Sequence, residues 1–320
     1  MIIREDEDFI FDKPQKSGIV HDLKKIITTV QSNYYKGQLK GLPHIENTKK
    51  YYISICGIFK NEAPYLREWI EYHRIIGVDH IYLYNNNSDD SFLEIIDPYI
   101  KDNFVTLVDW PYNQKQMESY KNCANRFKNE TYWLGFIDID EFIVPVRDDN
   151  IKDFFRRFHD RPSVLIYWRM FGTSGIVERD IEHTLVTESF TSCWPKYDDI
   201  GKCFLNTNYA ISDKQPVLHH MLWTKYEGKD YPPVNCYDNP CPRDWFNPVQ
   251  HETFPIQINH YVLKSKNEYL AKTKKSDVFF QNNPKGKEHF ERHEKPCTAR
   301  DYKIFKYIDK LRFAMEGANI

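Results

Sequence analysis

The segment of residues 131–145, Thr-Tyr-Trp-Leu-Gly-Phe-Ile-Asp-Ile-Asp-Glu-Phe-Ile-Val-Pro, constrains the fold more than any other part of the chain. It opens with an apolar run at residues 133–137 that does not alternate with polar residues, which is typical of a strand buried on both faces of a parallel sheet. The run stops at three acids, Asp138, Asp140 and Glu141. Because burying an unpaired carboxylate is costly, these acids need a strand end, a partner or a metal.

Two of these acids have the spacing of a metal site. In an extended chain, residues two apart point the same way, so Asp138 and Asp140 would face one point while Ile139 faces the core. Two carboxylates at the carboxyl end of a buried strand make a hard-oxygen site for Mn²⁺ or Mg²⁺. The alternative is a surface turn rich in Asp, which a strand this apolar seldom enters directly.

Length and charge narrow the functional classes. A chain of 320 residues is long enough for one large α/β domain with appendages. Its net charge of −2 gives no general affinity for nucleic acid, and we expect no nucleic-acid partner. The charge is uneven, since residues 264–312 carry fourteen Lys and Arg against seven Asp and Glu, which leaves the rest of the chain acidic.

Cysteines and apolar runs predict the cellular compartment. The seven cysteines are scattered, their number is odd, and they form no Cys-x-x-Cys pair, which favours reduced thiols. The first eight residues are acidic without an apolar stretch of signal-peptide length, and no run approaches the length of a membrane span. We therefore expect a cytoplasmic protein, either free or peripheral at the inner membrane face.

Strand and helix patterns alternate along the chain. Apolar runs predict strands at 51–59, 78–84, 104–108, 132–137, 163–170 and 254–262; helical patterns lie at 22–31, 65–76, 92–99, 116–128, 151–158, 264–275 and 299–315; residues 284–294 are interpreted as a charged loop. This alternation predicts right-handed crossovers and a mostly parallel sheet. Ligands bind beyond the carboxyl ends of such strands, where Asn61, Ser88, Asp89 and the two aspartates all fall.

An ordered series of motifs resembles a known family. It includes Cys56-Gly-Ile-Phe-Lys-Asn-Glu-Ala, Asn86-Asn-Ser-Asp89, the Gln116 to Tyr120 segment, Phe136-Ile-Asp-Ile-Asp-Glu-Phe-Ile-Val-Pro145, Phe171-Gly-Thr-Ser-Gly175 and Ile258-Asn-His-Tyr-Val-Leu-Lys-Ser265. Over about residues 52–275 the series resembles the glycosyltransferase family 2 and family 92 group. The resemblance implies an α/β fold of the GT-A type, a mostly parallel sheet flanked by helices, with a nucleotide-sugar donor and a divalent metal.

The resemblance also implies a set of metal ligands. Asp138 and Asp140 form the metal pair, and one of them can act through water or on the donor's ribose. A late histidine, His260, is the implied third ligand, and His219-His220 is the rival source of that ligand. A metal in this position would stabilise the diphosphate, which gains charge as the glycosidic bond breaks.

Basic residues are assigned to the donor phosphates. The resemblance places Lys264 on the diphosphate, and Lys202 is a second candidate for a phosphate contact. Glu141 is expected to contact the first strand's loop or a metal-bound water. Basic residues from Lys272 to Arg312 are too spread along the chain for all of them to serve this site. They are instead assigned to an anionic membrane surface.

The nucleoside contact departs from the family pattern. The family typically has Asp where this chain has Asn85, so the contact to base or ribose is open. Asp89 remains as a hydrogen-bond acceptor for that contact. Asn61 and Ser88 complete the predicted donor-binding set, and the alternative for residues 85–90 is a polar turn.

The sequence offers several acids as the catalytic base. An inverting transferase needs a carboxylate to deprotonate the acceptor hydroxyl, whereas a retaining one does not. The candidates on the acceptor side are Glu188, Asp198, Asp199 and Asp213. We favour Asp198 or Asp199, because they adjoin Trp194 and Tyr197 and sugar faces stack on aromatic rings.

The sequence therefore predicts a metal-dependent glycosyltransferase. Its parts are an extension at 1–49, a catalytic domain at 50–275 with donor (50–145) and acceptor (146–275) halves, and a basic helical extension at 276–320. It would move a sugar from a nucleotide-sugar, a UDP-sugar first of all, to a hydroxyl of a glycan or lipid-linked glycan in surface polysaccharide synthesis. A metal-dependent nucleotidyltransferase and a non-catalytic carbohydrate-binding protein are the alternatives.

Overall fold

A computed structural model describes residues 19–214, 218–243, 253–274 and 286–317. Strands in these ranges are β1 Tyr51–Phe59, β2 His80–Asn85, β3 Val105–Asp109, β4 Thr131–Phe136, β5 Glu141–Pro145, β6 Ser163–Met170, β7 Ser192–Cys193, β8 Gly201–Asn206, β9 Ala210–Ile211, β10 Thr224–Tyr226, β11 Lys229–Tyr231, β12 Val234–Asn235, β13 Ile256–His260 and β14 Ala299–Arg300. Helices are α1 Ile19–Leu39, α2 Ala63–Ile75, α3 Phe92–Lys101, α4 Gln116–Phe127, α5 Ile151–Arg156, α6 Val186–Ser189, α7 Lys266–Thr273, α8 Lys287–Glu294 and α9 Ile308–Gly317, with a 3₁₀ turn at Lys303–Tyr307.

A nine-stranded sheet organises the molecule. Its order is β3-β2-β1-β4-β8-β6-β13-β5, and β12 pairs with β6. The pairs β3-β2, β2-β1, β1-β4, β6-β13 and β6-β12 are parallel, whereas β8 and β5 run antiparallel to their neighbours. The predicted α/β class with a mostly parallel sheet is therefore confirmed.

The parallel strands end at one edge of the sheet. The registers pair Phe59 of β1 with Asn85 of β2, and His260 of β13 with Met170 of β6. All residues of β4 and β6 are buried, as expected for strands covered on both faces. Because parallel strands deliver their carboxyl ends to the same edge, the loops that follow them meet there.

The acidic stretch is a turn and not a strand end. Glu141 N donates to the carbonyl of Asp138 at 3.1 Å, and β5 then returns antiparallel to β13. The expectation of an extended chain through Asp138 and Asp140 was wrong, because β5 pairs with β13 and forces a reversal. Ile139 is buried, as expected.

Gly201 allows β8 to lie close to β6. A Cβ at this position would lie 1.9 Å from the backbone oxygen of Ile166. Only glycine avoids this contact, so the residue fixes the entry of β8 into the sheet. Lys202, the next residue, is thereby carried into the interior beside the turn after β4.

The carboxyl-terminal elements differ from the predicted ones. Residues 287–294 form α8 where a loop was expected, and positions 284–285 lie outside the described residues. The helix predicted at 299–315 is divided, since Ala299 and Arg300 pair with β7 before the 3₁₀ turn and α9 begin. The predicted apolar face is buried as expected and consists of Ile304, Tyr307, Ile308 and Leu311.

Several C-terminal cations have partners inside the protein. Lys303 pairs with Asp301 at 2.5 Å, Arg312 pairs with Glu188, and Lys306 donates to the carbonyl of Asp148 at 2.6 Å. Within the described ranges, no helix combines the length and apolarity that a bilayer crossing requires. Contact with an anionic membrane surface stays a prediction.

Candidate functional site

Three acids and three lysines meet at the carboxyl edge of the sheet. The acids Asp138, Asp140 and Glu141 come from the turn after β4 and the start of β5. The lysines are Lys202 of β8, Lys272 of α7 and Lys264, which lies between β13 and α7. Elements distant in sequence thus converge on the turn that the sequence singled out.

Asp138 is surrounded by donors from the protein. Its Oδ1 accepts hydrogen bonds from Tyr120 Oη at 2.8 Å and from Gln116 Nε2 at 3.1 Å. Its Oδ2 accepts from Lys202 Nζ at 2.7 Å. Burial acts to raise the pKa of Asp138, but Lys202 and these hydrogen bonds outweigh burial and lower it. Asp138 is therefore an ionised group that the fold holds in place.

Lys202 is a fully buried cation whose partners are both carboxyls. The side chain has no exposure, and Nζ lies 3.6 Å from Glu141 Oε2 in addition to its bond with Asp138. Burial acts to lower the pKa of Lys202, and the two acids reverse this and raise it. Burial raises the pKa of Glu141 well above its usual value. Glu141 is thus the acid of the three that most readily carries a proton.

Glu141 contacts its own turn and not the loop of the first strand. Its Oε2 accepts a hydrogen bond from Asp138 N at 3.1 Å, and its carbonyl accepts from Trp69 Nε1 at 2.9 Å. The other carboxyl oxygen, Oε1, is buried without a hydrogen-bond partner. The expectation of a contact with the first strand's loop is not met by any described side-chain bond of Glu141.

The Asp140 side chain is 11% exposed, against 29% for Asp138, and it has different partners. Its Oδ2 accepts from Lys272 Nζ at 2.5 Å, and its Oδ1 lies 3.6 Å from His260 Nε2. Burial acts to raise the pKa of Asp140, and Lys272, with His260 and Lys264, overcomes it and lowers the pKa well below its usual range. Asp140 is therefore ionised at neutral pH, with one oxygen held by a lysine and the other beside an imidazole.

His260 is the histidine that the fold brings against Asp140. Burial lowers its pKa to about 4, so the imidazole is neutral at pH 7. Its Nδ1 is buried without a hydrogen-bond partner and lies 4.0 Å from Glu141 Oε1. The rival, His220, donates from Nδ1 to the carbonyl of Gly201 at 2.8 Å, a tautomer inferred from that acceptor. Both imidazole rings pack on Trp168, with centroids at 4.7 and 4.9 Å.

A pocket opens beside Lys272. Glu62, Tyr65, Val262, Leu263, Lys264, Glu268, Ala271 and Lys272 line it. Lys264 is buried, with φ of +55°, and its Nζ lies 3.7 Å from the centre of the Tyr65 ring. Burial lowers the pKa of Lys264. The pocket therefore has two ammonium groups on its wall, as an anionic ligand requires.

The base of α7 is firmly anchored. Ser265 and Glu268 form a capping box at its start. Glu268 also pairs with Arg179 at 2.8 Å, in surroundings where both side chains are buried, and accepts from Tyr65 Oη at 3.0 Å. Lys272 lies four residues after Glu268, on the same helix face, so this anchoring fixes where its side chain starts.

The predicted donor-binding residues of the first two loops bind one another. Asn61 Oδ1 accepts from Asp89 N at 2.9 Å, and Asn61 N donates to Ser88 Oγ at 3.0 Å. Asn85 Oδ1 accepts from Ser88 N at 2.9 Å. The structure thus brings these four residues together at the same edge as the acids. Their contact with a donor stays a prediction.

The predicted bases lie in the loop that leads into β8. Asp198 N donates to the carbonyl of Trp168 at 3.0 Å, and Asp198 Oδ1 accepts from Ile200 N at 3.3 Å. Asp199 is partly exposed in the same loop. Of the other candidates, Glu188 pairs with Arg312. The loop adjoins Trp168, whose ring contacts His260, so either aspartate lies near the site.

Sequence reasoning missed four members of the site. Lys272 and Trp168 were assigned no role there, and Gln116 and Tyr120 were noticed only as part of a motif. The spacing of Gln116 and Tyr120 places them on one face of a helix, which is a usable signal for a shared target. Lys272 gave no such signal, because its place depends on how α7 folds back over the turn.

Known proteins resemble this chain in sequence. The sequence model of the family described as glycosyltransferase family 92 matches residues 49–303. A glycosyltransferase family 92 protein of Ricinus communis is 30% identical over 68% of this chain and 37% of its own length. Galactan beta-1,4-galactosyltransferase GALS3 of Arabidopsis thaliana is 33% identical over 32% of this chain and 23% of its length. The chain thus aligns with little more than a third, at most, of these relatives.

Solved structures resemble this chain less clearly than the relatives found by sequence do. Staphylococcus aureus TarS, solved in complex with UDP, is 17% identical over 40% of this chain and 38% of that one, with a TM-score of 0.30. A score this low carries no argument about fold or function. The family model, in contrast, matches well over half of the sequence, and the chain belongs to glycosyltransferase family 92.

Proposed function

We propose that this chain transfers a sugar from a nucleoside diphosphate-sugar to a carbohydrate hydroxyl, on a GT-A type fold and with the help of Mn²⁺ or Mg²⁺. The observation that carries the proposal is the arrangement of Asp138, Asp140 and His260 at the carboxyl edge of the sheet. Family membership supports glycosyl transfer. Relatives named as β-1,4-galactosyltransferases make a galactosyl donor the first to test.

The donor set fits a divalent cation. Asp140 Oδ1 and His260 Nε2 lie 3.6 Å apart, too far for a hydrogen bond and close enough to share one ion. His260 is neutral at pH 7, as a ligand must be. Asp138 offers less, because both of its oxygens already accept from protein donors. Asp140 and His260 would therefore hold the cation, with Asp138 completing the set through the lone pair left on Oδ2.

The proposed reaction replaces the bond between the sugar and the diphosphate with a bond between the sugar and the acceptor. The acceptor oxygen bonds to the anomeric carbon, the bond from that carbon to the diphosphate breaks, and its electron pair leaves with the diphosphate. When bound, a divalent cation stabilises this developing charge as a Lewis acid. Lys264 and Lys272 line the pocket and would bind the diphosphate oxygens.

Acceptor activation is the next requirement. Asp198 and Asp199 remain our candidates for the carboxylate that takes the acceptor proton, because their loop adjoins Trp168. Trp194, which is partly exposed, would offer a platform for an acceptor sugar ring. A glycan or lipid-linked glycan acceptor, and a role in polysaccharide synthesis, belong to this proposal.

Substitution of Asp140 tests the proposal. Asp140→Asn removes one negative ligand while keeping the shape, so transfer should fall by about 100-fold or more. The assay follows release of UDP from a panel of UDP-sugars, UDP-galactose first. Wild-type activity should vanish with EDTA and return with added Mn²⁺.

The matched control is Asp102→Asn, since Asp102 is an exposed acid that pairs with Arg74 on the surface. It should leave the rate unchanged. Full activity in excess EDTA would contradict the metal requirement. Release of pyrophosphate in place of UDP would favour a nucleotidyltransferase.

A further inference from the structure

The bond between Lys272 and Asp140 neutralises the carboxylate that the proposed function uses to hold the cation. Lys272 Nζ donates to Asp140 Oδ2 at 2.5 Å. A divalent cation on Asp140 would lie close to this ammonium, and two like charges at such separations repel each other. Cation and lysine therefore compete for one carboxylate.

Lys272 is placed to change partners. Its side chain is 25% exposed and lines the pocket, in contrast to Lys202, which has no exposure. The helix that carries it is anchored one turn earlier through Glu268. A lysine has a long flexible stem, so its ammonium can shift within the pocket while the backbone stays in place.

The pocket offers a second partner of the right charge when a donor is present. Lys264 contributes another buried ammonium to the same wall. The acids of the pocket are Glu62 and Glu268, and Glu268 is already paired with Arg179. A diphosphate in this pocket would thus meet two cations, and it would offer Lys272 oxygens in exchange for Asp140.

We propose that Lys272 is an exchangeable counter-ion, which neutralises Asp140 in the free enzyme and transfers to the donor diphosphate when the cation binds. Lys272 then opposes binding of a cation alone and favours binding of the diphosphate. Cation and donor become interdependent, because each is bound well only with the other. This inference rests on the proposed function and deepens it, since it assigns the order in which charges are exchanged.

The variant Lys272→Met separates this role from a structural one. Methionine keeps an unbranched apolar stem of similar length and removes the charge. Mn²⁺ alone should bind about tenfold more tightly, because a repelling charge is lost. UDP without any cation should bind about tenfold more weakly, because the pocket loses a positive charge and Asp140 is left to repel the diphosphate. A residue needed only for folding would weaken both.

The control is Lys274→Met, which changes an exposed lysine of the same region. It should leave both affinities unchanged. Every protein should also carry His44→Ala. His44, His159 and Asp160 form a separate cluster with metal-binding atoms within 4.8 Å of one another, and it would add background Mn²⁺ binding.

Mn²⁺ binding is measured by electron paramagnetic resonance and UDP binding by calorimetry, each without the other ligand. Opposite changes in Lys272→Met support the inference. Unchanged or weakened Mn²⁺ binding in a folded variant overturns it and leaves the proposed function intact. Failure of the wild-type protein to bind UDP under any condition would overturn the proposed function, and the inference with it.

Discussion

Asp138 and Asp140 lie two residues apart in one turn, yet their surroundings differ. We call one side of the turn the Asp138 half, which consists of Asp138, Gln116, Tyr120, Lys202 and Glu141. In it, side chains from α4 and β8 donate hydrogen bonds to both carboxylate oxygens of Asp138. We call the other side the Asp140 half, which consists of Asp140, His260, Lys264 and Lys272. It adjoins the pocket, and Asp140 Oδ1 lies 3.6 Å from the imidazole of His260.

The different partners of Asp138 and Asp140 explain how one turn can be both rigid and reactive. A carboxylate held by a fully buried lysine and two neutral donors has little reason to change partners, because any change leaves the lysine's charge buried and unpaired. A carboxylate paired with a lysine at a pocket can exchange that lysine for another cation. The first arrangement fixes the turn, and the second supplies the chemistry.

Unfolding measurements give the largest expected contrast between the halves. Lys202→Met should destabilise the protein by about 3–5 kcal/mol, because it leaves buried carboxyls without their cation. Lys272→Met should cost only about 1–2 kcal/mol, since the Lys272 side chain is 25% exposed and lines a pocket. Urea unfolding at pH 7.5 measures both free energies. Equal losses for the two variants would break the comparison.

The pH dependence of stability tests whether the interior around His219, next to the Asp138 half, excludes protons. His219 packs on Tyr120, and burial, with repulsion from Lys202, lowers its pKa well below the usual value. Below pH 6.5 the unfolded chain takes up a proton that the folded one refuses, so stability is lost as pH falls. Each such histidine contributes at most about 1.4 kcal/mol per pH unit.

The variant His219→Phe keeps a ring and removes the titration, so the slope between pH 6 and 4.5 should fall by about that amount. His183→Phe changes an exposed histidine and should leave the slope unchanged. A wild-type stability that is constant down to pH 4.5 would show that His219 is accessible to protons in the folded state.

Local patterns predicted most of the sheet. The strand at 163–170 was placed without error, and the helix that begins near Gln116 was placed to within a residue. Apolar runs identify such strands because burial on both faces requires them. The turn at Ile139 and the pairing of β5 with β13 were missed, because they depend on contacts between residues more than a hundred positions apart.

The convergence of the acids in the candidate site was predicted from the sequence better than that of its lysines. Asp138, Asp140 and His260 lie at one edge of the sheet as expected, since the turn after β4 and the end of β13 meet there. Lys272 was not assigned there, because a short helix after β13 had to fold back across the turn before its lysine reached Asp140. Net charge along the sequence placed that lysine on a basic surface, which describes composition and not position.

The smallest contrast concerns the two histidines that pack on Trp168. If His260 belongs to the Asp140 half as a ligand, His260→Ala should weaken Mn²⁺-dependent UDP binding by about tenfold or more. His220→Ala should weaken this binding by no more than about twofold, because His220 Nδ1 donates to a backbone carbonyl and the ring contributes mainly packing. Calorimetric titration of UDP in the presence and absence of Mn²⁺ separates the two cases, since only a ligand changes the Mn²⁺-dependent part. A larger effect of His220→Ala than of His260→Ala would identify His220 as the metal ligand. The metal site would then lie nearer to Asp138 and Lys202 than to Asp140.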